Sequence, residues 1–199
     1  DDNRRQQGGD CCGRRHRGPR REAQKENAVV ALSNLSVNDG NKVAIAAAGG
    51  IEVFTLARDG NEEQKNCAAG ALWNLAVNDN EAAIAAAGGE AAIVAAGGIE
   101  VLVSLARDGN EMQKEHAAGA LWNLAANNNL KVAIAAAGGI EVLIALARDG
   151  NEAQKENAAG ALRNLSVNDD NSMAIAAAGG VEVLIGNERQ KKRAAGALW

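Results

Sequence analysis

The sequence predicts an all-α solenoid of three-helix repeats, and three observations carry that prediction. A segment of about 41 residues recurs along the chain, marked by Ser33-Asn34-Leu35, Trp73-Asn74-Leu75, Trp122-Asn123-Leu124 and Arg163-Asn164-Leu165. Gln24-Lys25, Gln64-Lys65, Gln113-Lys114, Gln154-Lys155 and Gln190-Lys191 repeat in the same register. Glycines close the apolar-periodic stretches, as helix stops do. Self-similarity at this period belongs to arrays whose units bury their apolar faces only against one another. Function in such an array is expected on a surface, not in a pocket.

Residues 1–21 are polar and Arg-rich, contain the single proline, Pro19, and lack the apolar surface to offset the entropy of ordering. This segment is expected to be disordered. Residues 22–199 form the array: a partial repeat at 22–40, repeats at about 41–79, 80–128 and 129–169, and a truncated repeat at 170–199. A helix is predicted from near Glu22 to about Val37 as the last helix of the incomplete first unit. In the unit that starts near Leu130, a short helix ends at Gly138-Gly139, a second runs from Ile140 to about Arg148, and a third from Glu152 to about Val167. Gly60, Gly109 and Gly150 are expected to stop the second helices by taking the left-handed conformation. Asn61, Asn110 and Asn151 stand three residues before Gln64, Gln113 and Gln154, the spacing of a capping box, and Asn187 with Gln190 repeats it. Glu52, Glu100, Glu141 and Glu182 fall in the first turn of helix two, where the helix dipole favours a carboxylate.

Two irregularities interrupt the period. A nine-residue stretch, Glu81 to Gly89, is duplicated at Glu90 to Gly98 with one substitution, so helix one occurs twice there. Looping out the extra copy costs little, because loop entropy grows slowly with length. After Ile185 the residues matching Ala145 to Asp149 are missing, which shortens helix two to about Val181–Ile185.

On a helical wheel advancing ~100° per residue, Ala158, Ala161, Leu162 and Leu165 form the core stripe of the third helix. Asn157, Gly160, Asn164 and Asn168 share another face, and Arg163 with Glu156 points away from the core. Asn34, Asn74, Asn123 and Asn164 therefore form one row along the stack, with Asn38, Asn78, Asn127 and Asn168 one turn further on. A side-chain amide offers a donor and an acceptor together, so it can pair with both groups of an extended peptide. Bonding to the backbone of the adjacent helix is the alternative. Trp73 and Trp122, at the place of Arg163, are read as anchors for an apolar or cationic side chain or as packing across the gap between third helices. Glu26, Glu115 and Glu156 lie near the same strip and would favour Lys or Arg on a ligand.

Composition narrows the function class. Apolar content is 47%, much of it Ala, with one Phe, three Trp and no Tyr, so each side chain buries little and helices must approach closely. Seven Arg against three Asp give residues 1–21 a net charge of +4; with −4 for the whole chain, −8 remains for residues 22–199. An acidic array disfavours nucleic acid, whose affinity rests on phosphate neutralisation. A neutral to basic peptide is the better electrostatic match. The apolar runs fall short of the roughly 18 residues a membrane span needs. Cys11, Cys12, Cys67, His16 and His116 show no metal-ligand spacing, no catalytic constellation appears, and no cofactor or metal is expected. The start at Asp1 and the stop at Trp199 read as those of a piece of a longer chain.

The order Asn-Lys-x-Ala-Ile-x-x-Ala-Gly-Gly-Ile, Leu-x-x-Leu-Ala-Arg-Asp-Gly and Ala-Ala-Gly-Ala-Leu-x-Asn-Leu resembles the armadillo repeat across residues 22–199. The wording is similar to plant and algal armadillo arrays. It differs from the importin-α branch, which resembles a Trp four residues before the Asn, where Gly70, Gly119 and Gly160 stand here. The resemblance implies a right-handed α-α superhelix whose third helices line a concave groove for an extended partner peptide, with Asn34, Asn74, Asn123 and Asn164 as its ladder. A non-enzymatic protein-binding scaffold, cytoplasmic or nuclear, is the expectation. Peptide contacts are expected from those four Asn and from Trp73, Trp122, Arg163, Glu115 and Glu156. Two alternatives are a membrane-tethered adaptor acylated at Cys11 and Cys12, beside Arg14, Arg15 and Arg17, and a substrate-binding module of a larger ubiquitin ligase. The tether resembles that of the lipid-anchored vacuolar armadillo protein.

Overall fold

The computed structural model describes residues 19–35, 41, 44–45, 51–76 and 97–187. Among them every regular element is a helix: α1 (Pro19–Leu35), α2 (Ile51–Asp59), α3 (Glu62–Ala76), α4 (Gly98–Asp108), α5 (Glu111–Leu124), α6 (Asn128–Ala136), α7 (Gly139–Asp149), α8 (Glu152–Leu165) and α9 (Asp169–Ala177). A tenth, α10, occupies residues 180–187. The N-terminal segment up to residue 18, most of the duplicated stretch and the last residues from 188 lie outside this description, and the readings placed on them lie there too. Helix α1 opens at Pro19, three residues ahead of the expected start, because proline is well accommodated in a first helical turn.

The unit α6–α7–α8 shows how a repeat is made. Helices α6 and α7 meet at a bend of 83°. Gly138 turns the chain with φ of +80°, the left-handed conformation that suits glycine, and Gly97 and Gly179 do the same in the neighbouring units. A Cβ at Gly139 would lie 2.7 Å from both the carbonyl oxygen and the Cγ2 of Ile134, so the second glycine of the pair permits close approach. The left-handed stop predicted at Gly109 and Gly150 is corrected: both are extended, with φ of −71° and −72°. Crowding explains these glycines instead. A Cβ at Gly109 would stand 2.4 Å from the Leu105 carbonyl oxygen and 2.7 Å from the Gln113 Cβ, and Gly60 and Gly150 are hemmed in alike.

The units stack in register. Third helices pack side by side in the order α1, α3, α5, α8; second helices follow as α2, α4, α7; and first helices α6 and α9 touch. The predicted core stripe is fully buried, with Ala158, Ala161, Leu162 and Leu165 each at 0% exposure. Leu102, Leu121, Ile134 and Leu143 fill the space between layers and are also sealed from solvent. Removing one such leucine side chain costs about 3 kcal/mol. Alanine on the facing surfaces supplies less area per residue but lets the helices come close. Among the described residues no single helix is long and apolar enough to cross a membrane. The shortened second helix of the last unit, α10, is tied back by Asn187, whose side-chain N–H donates to the Ala147 carbonyl at 2.8 Å. That bond anchors α10 to α7, and the cap predicted at Asn187 with Gln190 reaches into residues outside the described ones.

Candidate functional site

The row of third helices carries the predicted site. Asn34 is exposed on α1, and Asn74, Asn123 and Asn164 are half-buried on α3, α5 and α8. The Asn164 side-chain N–H donates to the Trp122 carbonyl of the preceding third helix at 3.2 Å. Asn157, buried at 7% exposure, donates to the Glu115 carbonyl at 3.1 Å. Each of these amides ties its helix to the one before it, the alternative role that the sequence left open. Arg163 and Glu156 are exposed and Glu115 is half-buried on the same layer. The second row is corrected for its described members. Asn127 and Asn168 cap α6 and α9, accepting from the Asn129 and Asn171 backbone N–H groups at 2.8 and 3.0 Å. Their side-chain oxygens serve helix starts.

The tryptophans lie across the seams between third helices. A Cβ at Gly119 would sit 2.6 Å from Cε2 of Trp73, and one at Gly160 would sit 2.5 Å from Cε2 of Trp122. Each indole thus rests on a bare backbone of the next unit, so the glycine in Ala-Ala-Gly is a seat for the indole of the unit before it. Both rings are half-buried and pack against the core. On α3 the equivalent seat, Gly70, faces Ser33: a Cβ there would lie 3.7 Å from the Ser33 Oγ and 3.4 Å from both Cε1 and Nδ1 of His116. His116 packs against Trp73 with ring centroids 5.3 Å apart and planes inclined by 46°. Its Nδ1 is buried without a hydrogen-bond partner. Burial holds the imidazole below the ordinary histidine range, against the upward pull of the Glu115 carboxylate and the Asn66 backbone.

A second seam runs along the N-termini of the third helices. The capping boxes at Asn61–Gln64, Asn110–Gln113 and Asn151–Gln154 form as predicted. The sequence did not reveal that their glutamines also bond across units. Gln154 Nε2 donates to the Glu111 carbonyl and to the Glu111 carboxylate, both at 2.9 Å. Gln113 Nε2 donates to the Glu62 carboxylate at 3.0 Å and to the Asn66 side-chain oxygen at 2.9 Å. These glutamines are 1% exposed, and the oxygen of each accepts from the cap backbone N–H while its Nε2 donates to the preceding unit. The recurrence of Glu-x-Gln-Lys in Glu62 to Lys65 and its later copies was the signal available in the sequence.

No group of three or more His, Cys, Asp or Glu side chains among the described residues could hold a metal ion. Cys67 is half-buried on α3; Cys11 and Cys12 lie outside the described residues. A cleft of about 340 Å³ along the second helices is lined by opposite charges, among them Arg107, Lys114, Glu111, Glu141 and Asp149.

The family model of the Armadillo/beta-catenin-like repeat matches residues 87–126 and 127–167. Solved structures agree with it. An engineered protein is 36% identical over 83% of this chain and 66% of its own, with a TM-score of 0.73. A computationally designed armadillo repeat protein for modular peptide recognition is 28% identical over 83% of this chain and 68% of its own, with a TM-score of 0.75. A designed armadillo repeat protein in complex with the peptide (KR)4 is 25% identical over 83% of this chain and 72% of its own, with a TM-score of 0.71. The chain spans about two thirds of the length of the first of these. No curated protein sequence matches it.

Proposed function

Because the chain belongs to the armadillo-repeat family, a right-handed superhelix of three-helix units, we propose that it is a non-enzymatic scaffold whose third-helix layer holds an extended segment of a partner protein. The observation that carries this reading is the unbroken row α1, α3, α5, α8 with an asparagine at the same register in each. Third helices ~8–10 Å apart meet a strand rising ~3.3 Å per residue at every second or third position. The bond from Asn164 to Trp122 uses one amide hydrogen. The oxygen and the second hydrogen can still pair with a guest backbone. That tie also fixes the amide's orientation before a guest arrives, which lowers the entropic cost of binding.

Charge supports a neutral to basic guest. Residues beyond the N-terminal segment are net acidic, and Glu115, Glu156 and exposed Arg163 border the row. A designed relative in complex with (KR)4 fits the same reading. Trp73 and Trp122, seated on glycines, offer rigid apolar shoulders between successive asparagines.

The test starts from peptides selected by display against the full chain. The variant carrying Asn74→Ala and Asn123→Ala should bind them about tenfold more weakly or worse, with helicity unchanged. Methylating the peptide backbone nitrogens should weaken binding to the parent chain in the same way. Undiminished affinity in both arms would remove the asparagine ladder as the mode of recognition.

A further inference from the structure

The indole seats of the third-helix layer are not all filled alike. Trp73 covers Gly119 and Trp122 covers Gly160, whereas at Gly70 the short Ser33 stands in the place of the indole and the edge of His116 lies nearer than it. Two differences converge there. The first is that small side chain. The second is His116, which stands where Asn157 stands in the next unit. Asn157 is satisfied by the Glu115 carbonyl, but His116 leaves Nδ1 buried and unpartnered, 3.4 Å from where a Gly70 Cβ would be.

The filled seats define the shape and polarity of a guest. In both, the indole Nε1 lies 2.9 Å from where the glycine Cβ would be. The imidazole edge of His116 lies over Gly70 and seals Nδ1, so an indole placed over Gly70 as in the filled seats would turn that edge aside and meet the nitrogen that lacks a donor. A buried acceptor without a partner costs free energy that a donor recovers. Indole N–H is a donor only, so it matches an acceptor.

We propose that the Gly70 seat, walled by Ser33 and His116, is a specificity pocket for a tryptophan side chain of the bound partner segment. The proposal rests on the third-helix layer being the peptide-binding face. The guest tryptophan completes the series that Trp73 and Trp122 begin, with His116 Nδ1 accepting its N–H. Ser33 and His116 set the preference, and Gly70 supplies the floor.

The test uses the full chain and three otherwise identical Gly/Ser peptides with Trp, Lys or Ala at the centre, titrated by calorimetry and by NMR. The Trp peptide should bind about tenfold more tightly than the Ala peptide and should move the His116 imidazole and Gly70 amide signals. Ser33→Trp fills the seat from within and should abolish that advantage, leaving helicity and Ala-peptide binding as they were. Gly70→Ala, whose methyl meets only ordinary contacts, should do the same and serves as the second variant. A Trp advantage that is absent, or that survives both variants, overturns the proposal, and so does preference for the Lys peptide. Equal binding of all three peptides that is lost in the Asn74→Ala, Asn123→Ala chain would leave the groove standing and remove the pocket. Binding of none would sink both.

Discussion

The junction between α1 and α3 and the junction between α5 and α8 derive from the same repeat, yet they are closed in different ways. At α5/α8 the Trp122 indole lies on Gly160, Asn157 bonds to the Glu115 carbonyl, and Asn164 bonds to the Trp122 carbonyl. At α1/α3 a serine faces Gly70, and His116 reaches over the same glycine from α5 with an unpartnered nitrogen. The two seams differ in the side chain that faces the glycine and in what the next unit lays over it. A seam varied at one place supplies local chemistry without a change of fold, because each unit depends only on its neighbours.

The largest expected effect separates the glycines. Gly160→Ala and Gly119→Ala should each destabilise the chain by about 1–3 kcal/mol, since the new methyl meets an indole that cannot move without opening a seam. Gly70→Ala should stabilise by about 0.5–1 kcal/mol through helix propensity. Urea unfolding of the three variants checks the order, and a Gly70→Ala loss equal to the others would erase the distinction.

Gln154→Ala comes next. It removes a cap and two bonds to Glu111, and about 2 kcal/mol should be lost. Thermal melting against exposed Arg148→Ala as a surface control measures it. Asparagine substitutions sharpen the comparison further. Asn164→Ala should cost about 1 kcal/mol because it deletes the bond to Trp122, whereas exposed Asn34→Ala should fall within about 0.5 kcal/mol of the parent.

The smallest effect is in pH. Burial lowers the His116 pKa in the folded chain from the ordinary value of 6.5, so the unfolded chain takes up the proton first. Stability should therefore be level above about pH 6.5 and decline as the pH falls through that value. His116→Asn should flatten the decline, as denaturation midpoints across the range would show. A parent chain equally stable through that window would argue against a buried, neutral imidazole.

The period, the helix order, the core stripe and the capping boxes were legible in the sequence because each rests on local spacing. Ala158, Ala161, Leu162 and Leu165 fall where a wheel puts them, and Asn110 with Gln113 makes the bonds that their separation implies. What lies between units was not legible. Nothing local to Trp73 announces Gly119 as its seat, and nothing near Gln154 announces Glu111 as its second partner. Gly109 was misread for the same reason: its crowding comes from the Leu105 carbonyl and the Gln113 Cβ, whereas the positive φ values belong to the first glycines of the Gly-Gly pairs. Of the site, the register of the asparagines could be read from the chain, but the ties of Asn157 and Asn164 to the preceding helix needed three-dimensional neighbours.

The glutamine seam gives the array a polarity. Gln113 and Gln154 draw hydrogen-bond acceptors from the unit before them. Trimming units from the C-terminal end leaves behind acceptors that water can rehydrate, while trimming from the N-terminal end strands a sequestered amide donor. Shortened versions made from the two ends should therefore tolerate the cut unequally, and fraying should travel more readily inward from a newly made N-terminal edge.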